Sequence, residues 1–167
     1  MSSWCRKILK SLSTRAKLND FVREYMKNNP KRDADEVYVI PVVFHIVHEW
    51  GSENLSYEQI ERIVEHLNQD YRKTRSDTAN IVEEFKPIAA DTKIEFRLAR
   101  KDPEGKCTMG VTRTFSAATH GGGEDAKDAA GSWDNTKYLN VWSVASLYDN
   151  VAGWAYYPGT APDNWDG

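Results

Sequence analysis

The sequence is poor in the features that define several protein classes. Only two cysteines, Cys5 and Cys107, occur in 167 residues, which leaves room for one bridge at most and excludes a disulfide-stapled scaffold. No run approaches 18 uninterrupted apolar residues, so no membrane span is expected. The apolar cluster near the start, Ile8-Leu9-Lys10-Ser11-Leu12, is broken by a lysine, and no signal-peptide apolar region is visible. No G-x-S-x-G elbow occurs, so His120-Gly121-Gly122-Gly123 reads as a solvated loop rather than the oxyanion loop of a hydrolase. No two histidines stand at i and i+4, the spacing by which one helix supplies two zinc ligands.

What is present suits one folded body. The chain is 40% hydrophobic and 28% charged, and at this size it can bury roughly 70% of the surface its unfolded form exposes. Charge is unevenly placed. Residues 1–32 hold nine Lys/Arg and two acids, and the remainder holds 13 basic and 23 acidic residues. A basic arm thus precedes an acidic body. Without an aromatic-interleaved basic patch or a recognition motif, the arm reads as a segment that lies on the body, and nucleic acid is not an expected partner.

Periodicity predicts a helix over 6–27, stopped by Asn28-Asn29-Pro30, and a charged linker that places a boundary near residue 35. Val37 to His48 is nearly continuous in Val, Ile and Phe, as in a central strand covered on both faces, with Pro41 a local exception. Ser56 and Gln59 form a capping box, and Leu55 with Ile60 a hydrophobic staple, for a helix over 56–72. Its stripe of Ile60, Ile63, Val64, Leu67 and Tyr71 calls for a flat partner, namely the sheet. A short helix is expected over 80–85. Further strands are expected at 93–98, 111–115, 138–145 and 151–157, with a long loop over 116–137.

The histidines His45, His48, His66 and His120 do not form a metal site by spacing. His45 and His48 stand three apart on a strand and face opposite ways, and His66 lies on the polar side of its helix. The loop residues His120, Glu124, Asp125 and Asp128 match no calcium-loop spacing and read as solvated. Cys107 has no acid-base partner and reads as a structural thiol or as one half of a bridge to something outside the arm, whereas Arg6 and Lys7 favour the thiolate of Cys5, the form that binds metal. Asn54-Leu55-Ser56 fits the glycosylation sequon, but Ser56 is already accounted for as a cap.

Seven segments in order carry a resemblance: Ile40-Pro-Val-Val-Phe-His-Ile-Val-His48, Glu53-Asn-Leu-Ser56, Leu67-Asn-Gln-Asp70, Ala90-Asp-Thr-Lys-Ile-Glu-Phe96, Gly110-Val-Thr-Arg-Thr114, Lys137-Tyr-Leu-Asn-Val-Trp142 and Ala152-Gly-Trp-Ala-Tyr-Tyr-Pro158. Together they resemble the N-terminal half of a pappalysin-family metallopeptidase, a branch of the metzincin zinc proteases. The resemblance implies an α/β fold, a twisted, mostly parallel but mixed five-stranded sheet backed by the long helix, over residues 36–167. Residues 1–35 resemble the family's helical propeptide.

The resemblance also implies a function. The last strand, 151–157, becomes an antiparallel edge that pairs with a peptide or protein substrate, making Gly153, Trp154, Ala155 and Tyr156 the expected substrate-binding positions. Such enzymes hold catalytic zinc with H-E-x-x-H-x-x-G-x-x-H, whose Glu activates the metal-bound water. That motif does not occur in these 167 residues. The expectation is a chain with no catalytic residue and no bound metal, inactive without the C-terminal half of the catalytic domain, where the zinc belongs. Cys5 is the expected zymogen switch, although Arg6 follows it where the family pattern places glycine, and Lys31-Arg32 is the expected activation cleavage zone. The family likeness implies an extracellular location. The alternative is a non-catalytic remnant that binds peptides or partner chains along the same edge.

Overall fold

The computed structural model describes residues 3–29 and 36–156, the side chains of 3–13 and of Asn150 excepted. Helix α1 runs Ser3–Asn28, somewhat longer at both ends than periodicity predicts. Every side chain from Asn19 to Asn29 is exposed, among them Phe21, Val22, Tyr25 and Met26. The expected boundary near 35 lies outside the described residues. No helix among the described residues is long and apolar enough to cross a membrane.

Strand β1, Tyr38–His48, organises the body. Its even-numbered residues turn their main-chain groups to one side, where Tyr38 N–H reaches Lys93 O, Phe44 N–H reaches Gly110 O and Ser116 N–H reaches His48 O. Strands β2 (Ile94–Leu98) and β3 (Val111–Phe115) therefore lie end to end along one edge of β1, with registers Val42↔Leu98 and Phe44↔Val111. The odd-numbered residues turn to β4, Leu139–Ser143, which pairs from Val42 to Ile46. Pro41 is tolerated because its missing N–H faces this second side, just before β4 begins.

All four strands run parallel. The expected five-stranded sheet is therefore four-stranded among the described residues, and the expected antiparallel fifth strand is not formed over 151–156. The reason is local: side chains of this segment are taken up by a helix, as set out below, and no ladder with β4 forms. The described residues stop at 156, so Tyr157 and Pro158 lie outside them.

Each face of the sheet has its own chemistry, because side chains alternate along a strand. Val42, Phe44 and Ile46 of β1 meet Phe96 of β2 and Ile60 and Val64 of helix α2, Tyr57–Tyr71. Leu55, Leu67, Leu98, Val111, Leu139 and Val141 close around this core. The capping box that starts α2 is fully made: Gln59 N–H donates to Ser56 Oγ at 3.2 Å and Ser56 N–H to Gln59 Oε1 at 2.7 Å. The expected stripe is only partly covered, since Ile63 remains 41% exposed.

Asn68 of α2 accepts from Phe96 N–H at 2.7 Å and donates to Phe96 O at 2.9 Å. An amide side chain thus does for the outer edge of β2 what a further strand would do, blunting an edge open to pairing with other chains. The helix expected over 80–85 is two 3₁₀ turns, Ser76–Asn80 and Glu83–Phe85. The loop expected over 116–137 contains a 3₁₀ turn, Ala117–Thr119, and helix α3, Glu124–Ala130.

Candidate functional site

The second face of the sheet is polar at its centre. His45 is fully buried, with Nδ1 2.7 Å from Thr112 Oγ1 of β3 and Nε2 2.9 Å from Asn140 Oδ1 of β4. Asn140 also accepts from Trp133 N–H at 2.8 Å and donates to Trp133 O at 3.0 Å. Because Oδ1 is the acceptor in that pair, His45 carries its proton on Nε2 and accepts from the Thr112 hydroxyl at Nδ1. Its ring stacks on Trp142 at 5.4 Å. Burial lowers the pKa of His45 from its ordinary value, and the hydrogen bond to Asn140 opposes that only in part. His45 is a neutral structural pin across three strands.

The strand geometry fixes what β4 presents outward. Odd residues of β1 bond to Leu139, Val141 and Ser143, so the main-chain groups of Trp142 point away from β1. They face a groove of about 680 Å³ along the outer edge of β4. Ile63 of α2 and Val141 contribute apolar lining, Lys127 comes from α3, and residues 151–156 form the far wall. The four expected substrate-binding positions, Gly153, Trp154, Ala155 and Tyr156, all lie on that wall.

Among the described residues, side chains rather than main-chain ladders hold the wall. Lys127 Nζ sits 4.7 Å from the ring centre of Trp142, 4.2 Å from that of Trp154 and 5.2 Å from that of Tyr156. Tyr156 donates its hydroxyl to Glu124 Oε1 at 2.5 Å. That carboxylate partner, with partial burial, pushes the Tyr156 phenol up to about 12. Glu124, read from the sequence as a solvated loop residue, is instead a partner of Tyr156, and Lys127 was not singled out by sequence reasoning; the available signal was the three-residue spacing of Glu124 and Lys127 on one helical turn.

The main-chain donors of the glycine loop are already engaged: Gly121 N–H with Ser146 Oγ at 2.9 Å, Gly122 N–H with Ser146 O at 2.7 Å, and Gly123 N–H with Asp125 Oδ1 at 2.9 Å. They offer nothing to an oxyanion. His48 packs against Trp50 and Phe115, away from His45, and His66 is exposed. His120 pairs with Glu49 at 3.3 Å. Among the described residues no three His, Cys, Asp or Glu side chains could hold a metal ion together. Cys107 is an exposed free thiol. Asn54 accepts a hydrogen bond from Arg113, which also donates to Leu55 O at 2.6 Å. The side chain of Cys5 and the Lys31-Arg32 pair lie outside the described residues.

No protein-family model matches the chain, and no curated protein matches it. Solved structures do match. Tannerella forsythia mature mirolysin in complex with a cleaved peptide aligns at TM-score 0.71 and 34% identity, over 80% of this chain and 52% of that one. Mirolysin in complex with compound 9 aligns at 0.64 and 34%, over 74% and 48%. A point variant of Tannerella forsythia promirolysin aligns at 0.77 and 30%, over 97% and 55%. The chain spans about half the length of these structures. Mirolysin is a metzincin-type metallopeptidase, and the fold of this chain is metzincin-like.

Proposed function

We propose that this chain is the propeptide-like arm, 1–35, and the N-terminal subdomain, 36–167, of a pappalysin-type zinc metalloendopeptidase. It binds peptide along 151–157 and hydrolyses none by itself. The observation that carries this reading is the match to mature mirolysin holding a cleaved peptide, at 34% identity over 80% of this chain. The promirolysin match reaches 97% of the chain. The added coverage corresponds to about 28 residues, close to the length of the arm, which supports a zymogen-like role for it.

In the whole enzyme, zinc supplies a metal-activated water for peptide hydrolysis. The described residues do not fit that metal, because the four histidines are dispersed and His45 and His120 are already paired. The contribution of this chain is therefore to bind and orient. Peptide adds along 153–156 through main-chain groups, so side-chain identity matters little for pairing and the loss of one N–H matters greatly. Cys5 is the proposed switch of the latent form, and an extracellular location follows from the same reading.

The test is a titration of the purified, zinc-supplemented chain with extended peptides, with Ala155→Pro as the variant that removes one donor. The expected result is saturable binding without cleavage products by mass spectrometry, weakened about tenfold in A155P. Cleavage by this chain alone would refute the division of labour. Equal binding by A155P would refute main-chain pairing there.

A further inference from the structure

Residues 151–156 make no main-chain hydrogen bond to β4 among the described residues, and five of the six are exposed. A segment in that condition needs an external hold to present a fixed line of donors and acceptors. Helix α3 provides one. It is anchored by Ala126, 1% exposed beneath the sheet. One turn of it directs both Glu124 and Lys127 at the segment. Trp142, the floor of the cage, is itself fixed, its Nε1–H donating to Gly131 O at 3.0 Å.

We infer that Lys127 is a positioning residue for peptide binding: its ammonium, enclosed by Trp142, Trp154 and Tyr156, fixes the 151–156 wall against α3 at the distance from β4 that the groove requires. This rests on the reading of 151–156 as the peptide-pairing segment. The chemistry is specific to a cation. Three ring faces converge on one charged atom, and each attracts it through its quadrupole. An apolar side chain of the same length would fill the space without that attraction. Glu124 is the second point of the clamp, through the Tyr156 hydroxyl. Among the described residues Val151 N–H donates to Tyr148 O at 3.4 Å and 152–156 make no main-chain hydrogen bond, which leaves their donors and acceptors to a peptide.

The experiment compares the full chain with Lys127→Met, Lys127→Arg and Tyr156→Phe. In the wild type, ring currents shift the Lys127 side-chain methylene protons upfield of those of other lysines in NMR spectra. Chymotryptic cleavage at Trp154 and Tyr156 is expected to accelerate about tenfold in K127M. K127R restores the wild-type rate, and Y156F lies between, while the thermal midpoint of the body moves little. Peptide affinity is expected to fall several-fold in K127M and to recover in K127R. Unshifted Lys127 protons, or K127M cleaved at the wild-type rate, would overturn the inference. If no variant and no wild-type chain binds peptide while the cleavage differences persist, the clamp stands and the peptide-binding reading falls. If the wild type binds and K127M binds equally well, the peptide reading stands and the positioning role falls.

Discussion

Acidification should loosen the body through His45. The imidazole is fully buried between Thr112 and Asn140, neutral and protonated at Nε2. Burial lowers its folded pKa below the ordinary value of 6.5, so the unfolded chain binds the proton more readily. Stability from this source is complete above about pH 6.5 and is lost as pH falls from there toward the folded pKa. The slope is at most about 1.4 kcal/mol per pH unit. Going from pH 7 to pH 5.5 therefore removes up to about 1 kcal/mol, or a few degrees of thermal midpoint for a domain of this size. The assay is urea denaturation of the wild type and His45→Gln across that range. H45Q is expected to be less stable at pH 7, because Thr112 and Asn140 lose a fitted partner, and to show a shallower dependence on pH. Parallel profiles for the two proteins, or an NMR titration placing His45 at or above 6.5, would refute the argument.

Four substitutions test the packing. Asn68→Ala removes both bonds to Phe96 and should cost about 1–3 kcal/mol in urea denaturation; because it reopens the edge of β2, sedimentation velocity should also reveal self-association. Ser56→Ala breaks the capping box and should lower stability by about 1 kcal/mol. Gly110→Ala should be the most damaging, about 3 kcal/mol or more, because φ is +70° and an added Cβ would lie 2.7 Å from Ala99 N. Gly131→Ala, with nothing within 4 Å of the added Cβ, should cost about 1–3 kcal/mol of backbone strain, because φ +74° with ψ −179° is a region open essentially to glycine alone.

The sequence made some of this legible and hid the rest for physical reasons. β1 and α2 were readable because their signals are local: a run of Val, Ile and Phe, a capping residue, a stripe at helical spacing. α3 was not, since Ala126 is its only buried residue and seven residues leave no stripe to detect. The segment 151–157 has the aromatic and β-branched composition of a strand. Over 151–156 its aromatic side chains engage Lys127 and Glu124 instead, a competition that neighbouring residues do not reveal. The separation of His45 and His48 followed from strand alternation alone. The pairing of His45 with Asn140 joins residues 95 apart and had no sequence signal. Asn68 stood inside a quoted motif, yet its task became visible only once Phe96 was beside it.

The most direct measurement is isotope-filtered NMR of the labelled chain with an unlabelled extended peptide. Contacts between peptide backbone protons and the amides of Gly153 to Tyr156, alternating from one residue to the next as in an added strand, are the predicted result. Contacts confined to the exposed Trp50 and Phe115 surface, with 153–156 unperturbed at saturation, would contradict the account.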